Sequence, residues 1–405
     1  MQATVVGGTP SLVIAEAQQA SARPRLDSVD LLRGLVIVIM ALDHARDFFT
    51  SARFDPTDLT QTTAPLFLTR WITHFCAPVF VFLAGTSAYL YQSRGKSPRE
   101  ASWFLLTRGL WLVVLEWTVI RWAWMFNFNY TSELLFVQVI WVIGVSMIVL
   151  AGLVHLPLGA VAALGIAMIA GHNLLDGIAP ESLGRWAPLW ILLHVQAPIP
   201  LRGDQVFFVI YPLVPWIGVM AAGYGFGRLL QRPQEERRRL LLRLGGGLTL
   251  AFLALRALNV YGDPAPWSVQ ESAGRTVLSF LNTTKYPPSL LFLLMALGPA
   301  IALLPLLERL RGPLARVVMV YGRVPLFFYV LHLYMIHALA LLVGTLAGFA
   351  PRSFLRVWMF LPEGWGYGLP MVYLVWAGVV LALYPACRWF AGLKARRRDA
   401  WLSYL

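Results

Sequence analysis

The first long apolar segment of the chain is too short to cross a membrane before polar residues begin. Residues 34–42 are apolar, and Asp43, His44, Ala45, Arg46 and Asp47 follow at once. A helix needs about 20 residues to cross the hydrocarbon of a bilayer. A helix that starts near residue 29 therefore carries three charges and a histidine at membrane depth, where polar groups face protein or a water-filled cavity. We expect a functional site at this end of the helix.

The composition indicates a polytopic membrane protein. The 405 residues are 58% hydrophobic and 13% charged, with a mean hydropathy of +0.65, whereas a soluble domain is about a quarter charged. The net charge of +13 does not indicate a nucleic-acid partner, because the basic residues lie in short connectors between apolar segments. Cys76 and Cys387 are far apart, so neither a disulfide framework nor a metal–thiolate site is expected.

Hydropathy predicts an all-α protein with about ten transmembrane helices. The predicted spans are residues 29–49, 66–91, 102–124, 133–153, 158–174, 206–230, 240–260, 289–307, 325–346 and 367–390.

The basic residues predict the orientation of these spans. They concentrate in the connectors 94–99, 232–239 and 309–316, which lie on the same side as both termini. The positive-inside rule places that side in the cytosol. We expect a disordered cytosolic leader at 1–25 that is not a signal peptide, a transmembrane domain at 26–392, and a basic cytosolic tail at 393–405, suited to anionic lipid headgroups.

The polar end of the first helix has the composition of an acid–base site. His44 and Asp47 are i,i+3 neighbours, and Asp43 and Asp47 are i,i+4 neighbours, so all three share one helix face. A carboxylate beside an imidazole holds it basic, as a general base requires. Arg33 lies eleven residues earlier, roughly 16 Å along the axis. The alternative to an acid–base site is a polar helix end without a catalytic role, in which Asp43 pairs with Arg46.

Further histidines lie on other helices. His74 lies about 12 Å into the second span, at a depth comparable to that of His44. His332 and His337 are separated by about 140° around the ninth span, so one is expected to line a site and the other to pack. Three others fall at or beyond helix ends and are expected to be solvated: His155, His172 and His194.

Other polar residues have less specific interpretations. Glu116 in the third span is expected to form an ion pair with Arg70, Arg108 or Arg256. Lys285 and Tyr286 precede two prolines at an outer helix entry, where the lysine either binds an anion or extends its ammonium to the interface. The chain has no glycine-rich phosphate loop and no His-Glu-x-x-His motif, so no metal is expected.

Three segments resemble one family of integral membrane enzymes. They are Arg-Leu-Asp-Ser-Val-Asp-Leu-Leu-Arg-Gly at 25–34, Pro-Val-Phe-Val-Phe-Leu-Ala-Gly-Thr-Ser at 78–87, and the late helix from Gly322 to His332. The chain is similar in these segments to the bacterial branch of the heparan-α-glucosaminide N-acetyltransferase-like transmembrane acyltransferases.

The resemblance implies a bacterial inner-membrane enzyme that transfers an acyl group, most simply acetyl, from cytosolic acyl-coenzyme A. The acceptor would be a sugar hydroxyl or amine presented outside the cytosol. The resemblance also implies that Arg25 and Arg33 lie near the coenzyme and that the end of the first helix holds catalytic residues.

The chain departs from the lysosomal enzyme of this family. His44 stands where that enzyme has a catalytic asparagine, no histidine lies between Arg46 and Thr73, and His74 replaces an aspartate. The catalytic roles therefore do not transfer directly, and a different acceptor is expected.

The combined hypothesis is that His44, supported by Asp43 or Asp47, deprotonates the acceptor for attack on the thioester. His74 and His332 would bind or polarise the substrates, and Arg33 would hold coenzyme phosphates. A proton-coupled transporter or lipid flippase is the alternative, since proton relays also use intramembrane His and Asp. A non-catalytic scaffold would leave the buried charge unexplained. The acceptor, the acyl length and homo-oligomerisation stay open.

Overall fold

The computed structural model describes residues 26–130, 134–203, 205–397 and 399–404, and the predicted leader at 1–25 lies outside these residues. The described residues form fifteen α-helices and one three-stranded sheet. The helices are α1 Asp27–Phe49, α2 Ala64–Thr73, α3 Cys76–Gln92, α4 Pro98–Leu115, α5 Arg121–Met125, α6 Val139–Leu153, α7 Leu158–Gly171, α8 Ala187–Leu193, α9 Leu213–Phe226, α10 Gln234–Leu258, α11 Ala273–Leu281, α12 Leu290–Leu307, α13 Pro313–Arg323, α14 Pro325–Leu346 and α15 Leu369–Arg396.

Eight helical segments of the described chain are long and apolar enough to cross a membrane. They are Ala64–Gln92, Pro98–Met125, Leu158–Leu175, Leu213–Gln231, Gln234–Leu258, Leu290–Leu307, Pro325–Leu346 and Leu369–Arg396. The two remaining predicted spans correspond to α6, which has 15 residues, and to α1, which has 23 residues but carries charges at both ends. The prediction of an all-α polytopic membrane protein is confirmed.

Two predicted spans begin as strands instead of helices. Strand β1 (Leu134–Val137) pairs in parallel with β3 (Val206–Val209), and β2 (Pro198–Pro200) pairs with β3 in antiparallel register. The helices predicted at 133–153 and 206–230 therefore begin later than expected, at Val139 and Leu213, after these strands. The sequences Leu-Leu-Phe-Val and Val-Phe-Phe-Val are as apolar as a helix core, and hydropathy alone does not separate a short buried strand from a helix.

Helix α1 lies at the centre of the bundle. It contacts α2, α3, α12, α13, α14 and α15, and 17 of its 23 residues are buried. Its polar end is therefore enclosed by protein, as its short apolar segment predicts.

Two glycines allow α1 to cross α13 with their backbones in contact. A Cβ placed on Gly34 would lie 2.0 Å from the Val318 carbonyl oxygen, and one on Gly322 would lie 1.7 Å from the Asp30 carbonyl oxygen. Small residues at helix crossings permit such close approach inside membranes. This crossing fixes the N-terminal half of α1 against the segment that leads into α14.

Glu116 has a different partner from the one expected. A π-helical turn, Glu116–Ile120, interrupts the helix after α4, and the carboxylate accepts hydrogen bonds from the backbone N–H of Gln138 at 2.9 Å and of Trp141 at 3.2 Å. Glu116 thus caps the N-terminus of α6, where the helix dipole favours an anion. The expected ion pair with an arginine is wrong, because sequence spacing could not show that α6 begins beside this carboxylate.

The connector after α10 folds around Arg256, which is 1% exposed. Its guanidinium lies 3.9 Å from Asp263 and donates to four backbone carbonyls. These belong to Ala265, Ser279, Phe280 and Asn282. The arginine therefore orders the segment that leads to Lys285.

The α1–α13 crossing gives a first prediction. Gly34→Ala should destabilise the fold by about 1–3 kcal/mol, because a backbone carbonyl has to move to admit the methyl group. Gly378→Ala on α15 is the matched control, since no atom lies within 4 Å of the new Cβ. Thermal unfolding of the two variants in detergent checks this, and equal midpoints for both would contradict the close crossing.

Candidate active site

Two histidines meet at the centre of the bundle. His44 Nδ1 on α1 lies 2.7 Å from His332 Nε2 on α14, with the ring planes 7° apart. His44 is 8% exposed and His332 is fully buried. The structure thus joins two residues that are 288 positions apart and that the sequence assigned to different roles.

The surrounding backbone determines where the protons lie in this pair. His332 Nδ1 is 2.8 Å from the carbonyl oxygen of Phe328, which only accepts, so Nδ1 carries a proton and donates it. In the neutral ring, Nε2 of His332 is then an acceptor, and His44 Nδ1–H donates to it. His44 Nε2 consequently keeps its lone pair and makes no hydrogen bond with any described residue. A histidine in this tautomer has the free nitrogen that a general base needs.

Two aromatic side chains surround the pair. Trp124 contacts His44 edge-on at 5.1 Å between ring centroids, and Tyr329 lies 6.0 Å from His44 and 5.6 Å from His332. Tyr329 Oη and Trp124 Nε1 are buried and face each other, and neither forms a hydrogen bond of normal geometry with a described residue. Buried polar atoms of this kind call for a ligand or water. Tyr329 was not among the site residues predicted from the sequence, although its i,i+3 spacing from His332 placed both on one helix face.

The acidic residues beside His44 bind arginines instead of the imidazole. Asp43 lies 2.9 Å from Arg46, 2.5 Å from Arg70 and 2.9 Å from the Thr73 hydroxyl, which donates to it. Asp47 lies 2.5 Å from Arg46. Neither carboxylate hydrogen-bonds to His44, whose Nδ1 contacts His332, so the tautomer of His44 is fixed by His332 and not by Asp43 or Asp47. The alternative Asp43–Arg46 pair exists, but it is part of a buried cluster.

Three further residues lie next to this cluster. Lys285 is 8% exposed, its ammonium lies 5.1 Å from the Tyr286 ring, and its charge acts on both Asp43 and His44. His74 at the end of α2 is 4% exposed, and its Nδ1 has no partner within the described residues. Lys285, Tyr286 and His74 therefore lie around Asp43 and Arg70, next to His44.

The remaining histidines divide into packed and exposed residues. The ring nitrogens of His337 lie 2.8 Å and 2.7 Å from the carbonyl oxygens of Ala123 and Phe354, so His337 packs while His332 lines the site, as the helical spacing predicts. His155 is exposed. The prediction that His172 and His194 are solvated is wrong, since each is only 2% exposed.

A cavity of about 530 Å³ extends along α1 between α3, α4, α6 and α14. Its lining combines apolar side chains with five cations and the carboxylate of Asp30. The cations are Arg33, Arg94, Arg108, Arg323 and Lys394. The Arg33 guanidinium is oriented by Asp30 at 2.9 Å and by the Ser87 hydroxyl at 3.0 Å. Arg25, the other expected coenzyme ligand, lies outside the described residues.

The cavity extends toward the histidine pair. Met40 and Tyr329 line it, Met40 is one helical turn before His44, and Tyr329 contacts both imidazoles. Arg33 lies on the same helix about 16 Å before His44. One continuous space thus connects a group of cations to the neighbourhood of a base.

The basic tail contributes to the cationic end. Lys394 lines the cavity, and α15 continues to Arg396, past the start of the tail expected at 393. The Tyr404 hydroxyl lies 2.9 Å from that of Thr107 on α4. The tail therefore packs against α4.

A family model supports the resemblance found in the sequence. Residues 25–262 match the model described as heparan-alpha-glucosaminide N-acetyltransferase, catalytic. The match covers more than half of the chain, so this protein belongs to that family of membrane acetyltransferases. A search of curated proteins found no match.

The matched region contains only part of the site. Arg33, Asp43 and His44 lie within residues 25–262, whereas Lys285 and His332 lie beyond them. The histidine that orients His44 therefore comes from the half of the chain that the family model does not cover.

The Asp43 cluster gives a second prediction. Asp43→Asn should destabilise the protein by about 3–5 kcal/mol, because it leaves Arg70 buried without the carboxylate it pairs with. Asp47→Asn is the matched control and should lower the free energy of unfolding by less, since Arg46 remains paired with Asp43 in this variant. Thermal or denaturant unfolding of the purified variants measures the difference. The reverse order of stabilities would show that Asp43 is not the centre of this cluster.

Proposed function

We propose that this protein is an acyl-coenzyme A-dependent acyltransferase that modifies a sugar or glycan acceptor outside the cytosol. The family membership gives the reaction class, and the acyl group is most simply acetyl. The observation that carries the proposal is the cavity, which extends from a group of cations to Met40 and Tyr329, next to the His44–His332 pair. A pocket of about 300–1,000 Å³ with a few placed polar groups is typical of a small-molecule site.

The cavity suits acyl-coenzyme A. Coenzyme phosphates would bind the guanidinium groups of Arg33, Arg94 and Arg108, whose fork geometry matches phosphate oxygens. The apolar lining beyond them, including Ile37 and Leu112, suits the less polar arm of the coenzyme. The positive-inside rule places the cationic end and both termini in the cytosol, where acyl-coenzyme A is made available.

The chemistry follows from the tautomer of His44. Nε2 removes the proton from the acceptor hydroxyl or amine as its oxygen or nitrogen bonds to the thioester carbon. The carbon–sulfur bond then breaks, and the protonated imidazole returns the proton to the departing thiolate. His332 is a positioning residue, because it holds Nδ1–H of His44 and thereby directs Nε2 to the reaction. The Tyr329 hydroxyl, on a ring that contacts both imidazoles, would donate to the thioester carbonyl oxygen.

The acceptor would bind beside the Asp43–Arg70 pair, next to His44. Lys285, Tyr286 and His74 lie there and offer an ammonium, a ring face and an imidazole to a sugar. Asp43 and Asp47 would act indirectly, by holding Arg46 and Arg70 in place. The donor would thus lie in the cavity along α1 and the acceptor beside the Asp43–Arg70 pair, with His44 adjacent to both.

A proton-coupled transporter or lipid flippase is the second candidate. The buried cluster of Asp43, Arg46 and Arg70 beside His44 is the observation that favours it, since proton relays use such groups. A transporter does not need a cationic cavity that extends to the neighbourhood of the base, so binding of acetyl-coenzyme A separates the two functions.

Replacement of His44 tests the assignment of the base. His44→Ala should lower the rate of acyl transfer by about 10²–10⁴-fold, the usual contribution of a general base, while acetyl-coenzyme A still binds. His332→Ala should also lower kcat and should shift the pH profile of kcat/KM, because His44 loses the acceptor that fixes its tautomer. The exposed His155→Ala variant is the control and should keep full activity. Full activity of folded His44→Ala would rule out this base.

Binding of acetyl-coenzyme A tests the donor site. Calorimetry on the purified protein should detect binding, and Arg33→Ala should weaken it by about ten- to a hundredfold, as expected for hydrogen bonds to a charged group. Arg239→Ala on the exposed face of α10 is the control and should leave the affinity unchanged. If the wild-type protein does not bind the coenzyme, the transporter is the better proposal.

A further inference from the structure

A second group of polar side chains lies away from the proposed reaction centre. His172 follows α7, Asp176 follows the short 3₁₀ turn His172–Leu175, and His194 ends α8. One ligand atom from each of the three residues lies within 4.8 Å of the others. The group lies on the side opposite the basic connectors, so it faces the extracytoplasmic solution in the orientation predicted from charge.

The imidazoles in this group are buried with few hydrogen bonds. His194 Nε2 lies 3.1 Å from Asp176 Oδ1, but His194 Nδ1 and both ring nitrogens of His172 have no partner among the described residues. His172 faces the carbonyl of Pro288 without forming a hydrogen bond of normal geometry. Three unpartnered buried nitrogens in two adjacent rings are costly, and a bound ion or water is the usual explanation.

We propose that His172, Asp176 and His194 form a binding site for one Zn²⁺ ion. Two imidazole nitrogens and one carboxylate oxygen are a common protein ligand set for zinc, and a water molecule completes the tetrahedron. Imidazole ligands disfavour Ca²⁺ and Mg²⁺, which prefer oxygen. A bound zinc ion would also coordinate one ring nitrogen of each buried imidazole.

The surroundings of the site favour an ion over a closed hydrogen-bonded cluster. The Asp176 side chain keeps 22% of its surface accessible, whereas the His194 side chain keeps 2%. An ion can therefore reach the carboxylate from solution, while the imidazoles stay enclosed. The ring centroids of His172 and His194 lie 5.7 Å apart at 66°, so neither ring stacks on the other and blocks it.

The position of the site indicates a structural role. His172 and Asp176 lie just after α7, and His194 lies just after α8, so one ion would hold the two ends of the intervening segment together. Asn173, next to His172, accepts a hydrogen bond from Leu290 N at 2.9 Å, at the start of α12. The ion would therefore also support the end of the Lys285–Leu290 segment. The reaction at His44 does not involve the ion.

Metal analysis of the full-length protein tests this proposal without an activity assay. The detergent-purified protein is stripped with a chelator, incubated with ZnSO₄, desalted and analysed by mass spectrometry for metals. We expect one zinc per chain and a higher thermal midpoint with zinc than without it. Asp176→Asn, which keeps the side-chain volume, should weaken zinc binding more than about tenfold. Even the loss of a residue that only hydrogen-bonds to a metal ligand typically lowers metal affinity by about tenfold or more.

Glu181→Gln is the matched control, because Glu181 is an exposed carboxylate in the same connector that is not part of the group. It should bind zinc as the wild type does. His194→Ala should lose the ion as Asp176→Asn does. Zinc content well below one per chain in the wild type would overturn the proposal, and so would equal affinity in Asp176→Asn and Glu181→Gln.

Discussion

The hydrogen bond between His44 and His332 is the contact on which the proposed chemistry depends. The carbonyl of Phe328 holds the proton on His332 Nδ1, and His332 Nε2 therefore accepts the proton of His44 Nδ1. Only this order leaves a lone pair on His44 Nε2. Because Phe328 and His332 lie on the same helix, the backbone of α14 determines the tautomer of a residue on α1. A change in the packing of these two helices would therefore change the tautomer of His44 while leaving the residue in place.

The burial of charge explains why the rest of the bundle is built around α1. Asp43 and Asp47 offset Arg46 and Arg70, so that the cluster is neutral although it lies inside the protein. Breaking such a buried pair by removing one partner is costly, which ties α2 to α1. At the other end of α1, the glycine contact with α13 brings the backbones together and leaves the cavity on the neighbouring face. Close packing on one face of α1 stabilises the helix, and the open space on another face gives a ligand access to it.

The sequence predicted the parts of this arrangement that depend on local patterns. The short apolar segment placed His44 inside the protein, hydropathy located the long helices, and helical spacing separated His332 from His337. It did not show that His332 contacts His44, because the two lie 288 positions apart and no periodicity relates them. For the same reason Glu116 was assigned an arginine instead of the N-terminus of α6, and His172 and His194 were expected in solvent. Each error concerns a contact between distant segments, which composition and spacing do not determine.

A structure of the protein with a non-hydrolysable thioether analogue of acetyl-coenzyme A, determined by cryo-electron microscopy, tests the central claim most directly. We expect the phosphates beside Arg33 and the acyl carbonyl carbon near His44 Nε2, with room for an acceptor atom about 3–3.5 Å from that carbon. We also expect His332 to remain bonded to His44 Nδ1. An acyl group bound elsewhere, or one that faces the Asp43–Arg70 side of the cluster with no path to Nε2, would contradict the proposed reaction centre.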